Sequence, residues 1–236
     1  MKQLFYLPTL IIMACSDVKS STLDTAGMYL EYDVTTEGDG SYVNVILKAG
    51  GAFGSFVDLD GGDQLIVSVV DGDESSILDA SSFLTFHSYD SNLTTDAAGS
   101  VFELNFDRET QTDAPSSQAT LPEPFTLTAP TADLVISRST QVDEDLEITW
   151  DGTSNEDMTI TIDGDCFSGY SETETDDAGV HSVPISIFSE GETDSTSSCS
   201  AKIIVERILE GTVDAAFEGG RSFGKQVRAI DITIAP

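Results

Sequence analysis

The chain predicts an all-β protein built as two consecutive β-sandwiches, and three observations predict it. Short runs of β-branched and aromatic residues recur from Met28 to Ile234, bounded by Gly, Asp and Ser. No amphipathic pattern is long enough for a substantial helix. Four of the seven prolines fall within residues 115–130 and divide the runs into two blocks.

The first block holds MYLEYDV (28–34), SYVNVILKA (41–49), DQLIVSVV (63–70), FLTFHSY (83–89) and VFELNFD (101–107). In SYVNVILKA, Val43, Val45 and Leu47 form the apolar face, opposite Tyr42, Asn44, Ile46 and Lys48. In VFELNFD, Phe102, Leu104 and Phe106 alternate with Val101, Glu103 and Asn105. Residues 109–123 carry no periodicity and read as a Pro/Ser/Thr linker.

The second block holds PFTLTAP (124–130), DLEITW (145–150), MTITID (158–163), HSVPISIF (181–188), AKIIVERIL (201–209) and QVRAIDITI (226–234). DLEITW puts Asp145, Glu147 and Thr149 on the solvated face and Leu146, Ile148 and Trp150 inside, with Trp150 as a core anchor. AKIIVERIL contains helix formers, but its alternation favours a strand. TVDAAFEGG (212–220) predicts one helical turn ending at Gly219 and Gly220. The blocks, 27–108 and 124–236, each have the size of an immunoglobulin-like sandwich. Trp150 precedes both Cys166 and Cys199, so the strict immunoglobulin order of cysteine, tryptophan, cysteine is not met.

The N-terminus bears on the compartment. Lys2 precedes an apolar run, Leu4–Met13, which is about half of the ~20 residues that span a bilayer. It reads as the apolar core of a secretory signal over residues 1–14. The run ends Ile12-Met13-Ala14-Cys15, and this resembles the lipobox of bacterial lipoproteins. The resemblance implies cleavage before Cys15 and acylation, palmitate among the chains, on its sulfur and new amine. More than one acyl chain gives firm anchoring. Met13 departs from the usual pattern, and a plain signal peptide with an incidental cysteine is the alternative. Ser16 after the cysteine resembles cargo sorted to the outer membrane of a Gram-negative bacterium. Residues 15–26 then read as a short lipidated tether.

With Cys15 assigned to lipid, Cys166 and Cys199 remain. In an oxidising compartment they read as one disulfide, closing a loop of about 34 residues and contributing roughly 3–4 kcal/mol in the loop-entropy model. Metal binding by the two thiols is the weaker alternative, because no histidine or further cysteine accompanies them.

The chain also resembles surface lipoproteins of predatory and marine Gram-negative bacteria that have two immunoglobulin-like domains and no assigned reaction. The resemblance rests on Gly62-Asp63-Gln64-Leu65, LPEPFTLTAP (121–130), Ser137-Arg138 leading to LEITW (146–150), and IDGDC (162–166). It continues through Ser198-Cys199, VERILEGTVDAAFEGG (205–220) and the closing QVRAIDITIAP. It implies a fold and an envelope location, and brings no catalytic residue.

The chain has 42 acids and 10 bases, a formal net charge of −32. Such a charge repels phosphate and excludes nucleic acid as a partner. Three acidic turns are calcium candidates: Asp58, Asp60 and Asp63; Asp71 and Asp73; Asp163 and Asp165. Closely spaced carboxylates on Gly-containing turns supply the oxygens calcium needs. However, Asp71-Gly72 and Asp163-Gly164 are also ordinary hairpin-turn dipeptides, and counting Asp58 as one, position twelve is Val69 and not a bidentate Glu.

Half of the bases, Lys202, Arg207, Arg221, Lys225 and Arg228, fall in the last 35 residues. They read as pairing with the protein's own acids, Arg207 and Arg228 each meeting a carboxylate. The alternative is a patch for lipid headgroups or polysaccharide. His87 reads as a strand residue facing water, and His181 begins a strand. No Gly-x-Ser-x-Gly, His-Glu-x-x-His or phosphate-binding loop is present, so no catalysis is expected. The leading expectation is therefore a lipid-anchored envelope interaction or structural module, with an envelope protein or polysaccharide as partner. A calcium- or carbohydrate-dependent adhesion module using exposed Tyr89 or Tyr170 is the runner-up, and an unrecognised hydrolase using His87 or His181 comes third.

Overall fold

A computed structural model describes residues 18–83, 86–138, 144–152, 154–175, 177–189 and 198–236. The signal peptide expected at 1–14 and the lipid site expected at Cys15 lie outside the described residues.

Among the described residues the secondary structure is strands and three short 3-10 turns. The strands are β1 (Val18–Lys19), β2 (Met28–Thr36), β3 (Ser41–Ala49), β4 (Ser55–Asp58), β5 (Gln64–Val69) and β6 (Ser75–Ile77). Then come β7 (Asp79–Phe83), β8 (Phe86–Leu93), β9 (Val101–Asp107), β10 (Ala114–Thr120), β11 (Leu127–Ala129) and β12 (Val135–Ser137). The last six are β13 (Asp145–Trp150), β14 (Asp157–Gly164), β15 (Tyr170–Glu174), β16 (Val180–Pro184), β17 (Cys199–Glu210) and β18 (Gly219–Ala235). The fold class is all-β, as the alternation predicts.

Two hydrophobic cores lie between sheets. In the first, Leu30, Val45 and Tyr89 of the large sheet face Val67, Leu104 and Phe106 of the four-stranded sheet β10-β9-β5-β6. In the second, Ile160, Ile203 and Ile232 face Ile148, Trp150 and Val183 on the three-stranded sheet β11-β13-β16 and its neighbours. The alternating faces read from SYVNVILKA, VFELNFD and DLEITW are the buried ones. Each fully buried Val, Leu, Ile or Phe contributes roughly 1.5–3 kcal/mol relative to exposure.

The two cores share one 11-stranded sheet, whose path runs β1-β4-β3-β2-β18-β17-β14-β15. β18 joins them. Its first half pairs in parallel with β2, from Gly219 beside Tyr29 to Gln226 beside Thr36. Its last two thirds pair antiparallel with β17, from Phe223 beside Glu210 to Ile234 beside Cys199. Its end pairs in parallel with β12.

The segment expected as a linker, 109–123, contains β10. That strand pairs antiparallel with β9 and buries Ala114, Ser117 and Ala119. Its apolar positions are alanines among serines and threonines, which is why it carries no hydrophobic periodicity. The chain then crosses directly over β18 at Gly224, where a Cβ would stand 1.8 Å from the Thr120 carbonyl oxygen, so only glycine fits. The segment 211–217 is likewise built into the first core. Phe217 stacks on Phe106 at 6.0 Å between centroids, and Thr212 and Gln118 exchange backbone hydrogen bonds. No helical turn forms at 212–220: the predicted end, Gly219 and Gly220, opens β18. Finally, residues 18–26 of the expected tether are docked on the first sandwich, with Ser20 and Thr25 buried.

Candidate functional site

The first acidic turn, Asp58 to Asp63, joins β4 to β5, and its carboxylates already have partners. Asp58 pairs with Lys19, and the Asp60 carboxylate accepts from the Ser21 backbone N–H at 2.9 Å. That hydrogen bond holds the Asp60 carboxyl below its ordinary value. Asp63 is buried against Arg108, whose Nε donates to its Oδ2 at 2.9 Å, while the Glu109 N–H donates to Oδ1 at 3.1 Å. In the second turn, Asp71 has φ +62° and lies with Asp73 at the surface between β5 and β6. The neighbouring Glu74 accepts backbone and hydroxyl donors from Thr94 and Thr95, which lower its carboxyl below the ordinary range. In the third, Asp163 and Gly164 continue β14, in register with Lys202 and Ala201, so they are not a hairpin turn. Asp165 is exposed just beyond. Among the described residues no three His, Cys, Asp or Glu side chains are grouped to hold a metal ion.

Two buried ion pairs organise the molecule. Arg108 donates to Asp63, to Thr25 Oγ1 at 3.0 Å, and to the Ser20 and Leu23 carbonyls at 2.8 and 3.0 Å. Its guanidinium lies 4.6 Å from the Phe106 ring centroid. Arg207, fully buried on β17, donates to Asp177 Oδ2 at 2.5 Å, to the Glu123 carbonyl at 2.9 Å, and to the Gly152 carbonyl. It lies 5.2 Å from the Phe125 ring. The indole of Trp150 donates to Asp177 Oδ1 at 2.5 Å. Burial alone would raise the Asp177 carboxyl; the hydrogen bonds from Trp150 and Arg207 and the charge of Arg207 outweigh it and hold the carboxyl below its ordinary value.

Four of the five C-terminal bases meet the protein's own acids: Arg207 with Asp177, Arg221 with Glu31, Lys225 with Asp33, and Lys202 with Asp231. Arg228 departs from the expectation. It donates to the Val227 carbonyl and to Gln226, and lies 5.5 Å from the Phe125 ring, because β18 places it at the crossover beside aromatic surface. Arg108, Arg138 and Asp177 were not legible as site residues. The available signal was scarcity: in a chain with ten bases, a lone arginine at a strand end is a strong ion-pair candidate.

Cys166 and Cys199 form the expected disulfide, with Cα atoms 6.2 Å apart. Arg138 donates to Cys166 Sγ at 2.7 Å. His87 is buried rather than water-facing, because β8 turns it toward the interior side with Tyr89. Tyr89 is buried too. Its hydroxyl donates to the Val57 carbonyl at 3.0 Å and accepts from the Leu59 N–H at 2.7 Å, and burial pushes its pKa up to about 12. It therefore offers no stacking surface to a sugar. His181 is buried, with Nδ1 2.7 Å from Glu174 and Nε2 2.8 Å from the Tyr170 hydroxyl. That hydroxyl also donates to Glu172. Burial, then the hydrogen bond and charge of Glu172, raise the Tyr170 phenol above its ordinary value. This cluster bridges β15 and β16, one edge strand from each sheet of the second sandwich. Both imidazole nitrogens are engaged, and among the described residues no serine or cysteine is hydrogen-bonded to them.

No protein-family model and no curated protein matches the chain. Among solved structures it is similar to the FN1–FN3 domains of chicken CNTN1, at 12% identity and a TM-score of 0.23, over 90% of this chain. The chain spans 65% of that fragment. It is also similar to the titin Z1Z2 domains solved in complex with telethonin, at 12% identity and a TM-score of 0.24, over 89% of this chain and 99% of that one. At these scores the likeness carries no argument about what this chain binds.

Proposed function

We propose that this chain is a lipid-anchored β-sandwich protein of the cell envelope, tethered through Cys15 at the outer membrane of a Gram-negative bacterium. It acts as an interaction or structural module and not as a catalyst. The observation that carries this reading is the division of the three cysteines. Cys166, in the second core, bonds to Cys199 packed against it, as an oxidising compartment allows. Cys15 stands apart, at the end of an apolar run and three residues before the first strand.

The architecture supports the same reading. The His181 imidazole bridges the two sheets of the second sandwich, and Arg108 and Arg207 are held in buried ion pairs. Strand β13 points Asp145 and Glu147 into solvent.

The test is the mass of the N-terminal peptide from protein isolated from membranes. The reading predicts a chain starting at Cys15 and carrying acyl chains, and a Cys15→Ser variant without them. An unmodified Cys15 in mature protein would contradict it.

A further inference from the structure

We propose that Phe53, Phe56, Phe83 and Phe86 form a patch that seats the first sandwich on a phospholipid bilayer, beside the lipidated Cys15. This rests on the lipid-anchor reading above and names what the anchored body touches.

The patch follows from strand geometry. On β4, Val57 points into the core, so Phe56 points to the outer face of the large sheet. The Phe86 ring packs edge-on against Phe56, 4.8 Å between centroids. Phe83 is in register with Phe86 across the β7–β8 pair, and directly paired residues project to the same side. Phe53, in the turn before β4, is wholly exposed, and Phe83 and Phe86 are 75% and 41% exposed. Apolar side chains gathered in this way mark an interaction surface, whereas scattered ones need no explanation.

The position of the anchor selects the occupant. β1 runs parallel to β4, with Val18 beside Val57, the residue after Phe56. Cys15 is three residues before Val18. Three residues of chain span at most about 11 Å, so an anchor at Cys15 ties this edge of the first sandwich to the bilayer. Acyl chains on Cys15 therefore enter the bilayer next to the phenylalanines. Aromatic rings at the headgroup boundary bury apolar surface there. Lys48, whose Nζ lies 5.9 Å from the Phe56 ring, is paired with Glu31. With the chain at −32 overall, the favoured surface is zwitterionic.

The test places an indole at the patch. An F53W variant, acylated and reconstituted into phosphatidylcholine vesicles with brominated acyl chains, should show its added fluorescence quenched. A V135W variant, at an exposed site on the second sandwich, should not. Trp150 is buried and gives the same background in both. The unacylated C15S/F53W chain should also be quenched on the same vesicles, and adding F83S and F86S should lower its partition about tenfold. If mass spectrometry shows acylated, vesicle-bound protein whose F53W signal is unquenched, the patch is overturned. If Cys15 is unacylated but C15S/F53W is quenched, the patch stands and the anchor reading fails. If Cys15 is unacylated and C15S/F53W is unquenched, both fail.

Discussion

The two sandwiches solve the same problem with different hardware. Each buries one arginine against one aspartate, and each sets the guanidinium near a phenylalanine ring: Arg108 with Asp63 near Phe106, and Arg207 with Asp177 near Phe125. In both, the remaining donors hold the chain where it enters that sandwich. Arg108 fastens Ser20, Leu23 and Thr25; Arg207 fastens Glu123 at the entry and also Gly152 just past β13. The second sandwich has only a three-stranded partner sheet and adds the Cys166–Cys199 bond; the first has a four-stranded partner sheet, no disulfide, and borrows Phe217 from the segment leading into β18. The bond ties the end of β14 to the start of β17, two adjacent strands of the large sheet where they back the second core.

The largest predicted effect breaks this symmetry at its centre. Arg207→Met leaves Asp177 buried and uncompensated and should cost about 3–5 kcal/mol in urea unfolding. Arg108→Met should cost a similar amount and also expose residues 18–25 to proteolysis. A cost near zero for either would show that the ion pair does not organise its sandwich.

Reducing the disulfide, or replacing both Cys166 and Cys199 by Ala, should cost about 3–4 kcal/mol. The loss should first raise hydrogen exchange in β14 and β17. Faster exchange confined to the first sandwich would contradict the division of labour.

Gly224→Ala tests the junction. The added methyl collides with the Thr120 carbonyl and should cost about 1–3 kcal/mol, loosening both halves because β18 belongs to both. An unchanged melting temperature would mean that the crossover is looser than its geometry.

A smaller effect comes from pH. The folded-state carboxyls of Asp177 and Asp214 lie below their ordinary values: in each, burial acts upward but is outweighed by hydrogen bonds, and for Asp177 also by Arg207. Stability from a depressed carboxyl is fully present above the unfolded value, near pH 4, and is lost as pH falls through the folded value. Melting temperature should therefore fall below about pH 4. Arg207→Met should flatten that slope, and an unchanged slope would remove Asp177 as its source. Raising salt at neutral pH should stabilise the chain by screening its −32 charge. The smallest effect is calcium: with Asp60, Asp63 and Glu74 already hydrogen-bonded, millimolar calcium should leave the melting temperature unchanged.

What was legible in the sequence was whatever alternates. Val43, Val45 and Leu47, or Leu146, Ile148 and Trp150, announce a strand with one buried face. β10 was hidden because alanine and serine fill its buried positions, Ala114, Ser117 and Ala119. The docking of residues 18–26 was hidden because a backbone carbonyl, not a side chain, is what Arg108 grips at Ser20 and Leu23. The shared sheet was hidden for a different reason: pairing of β2 with β18 joins residues some 190 apart, and hydrophobic pattern does not name a strand's partner.

The central claim is that β18 makes the two sandwiches one cooperative unit. Hydrogen exchange followed by mass spectrometry across a urea series measures this directly, using peptides from β9 in the first sandwich and β13 in the second. The shared strand predicts one urea midpoint for both peptides. Two separated midpoints, with one sandwich open while the other stays protected, would contradict it.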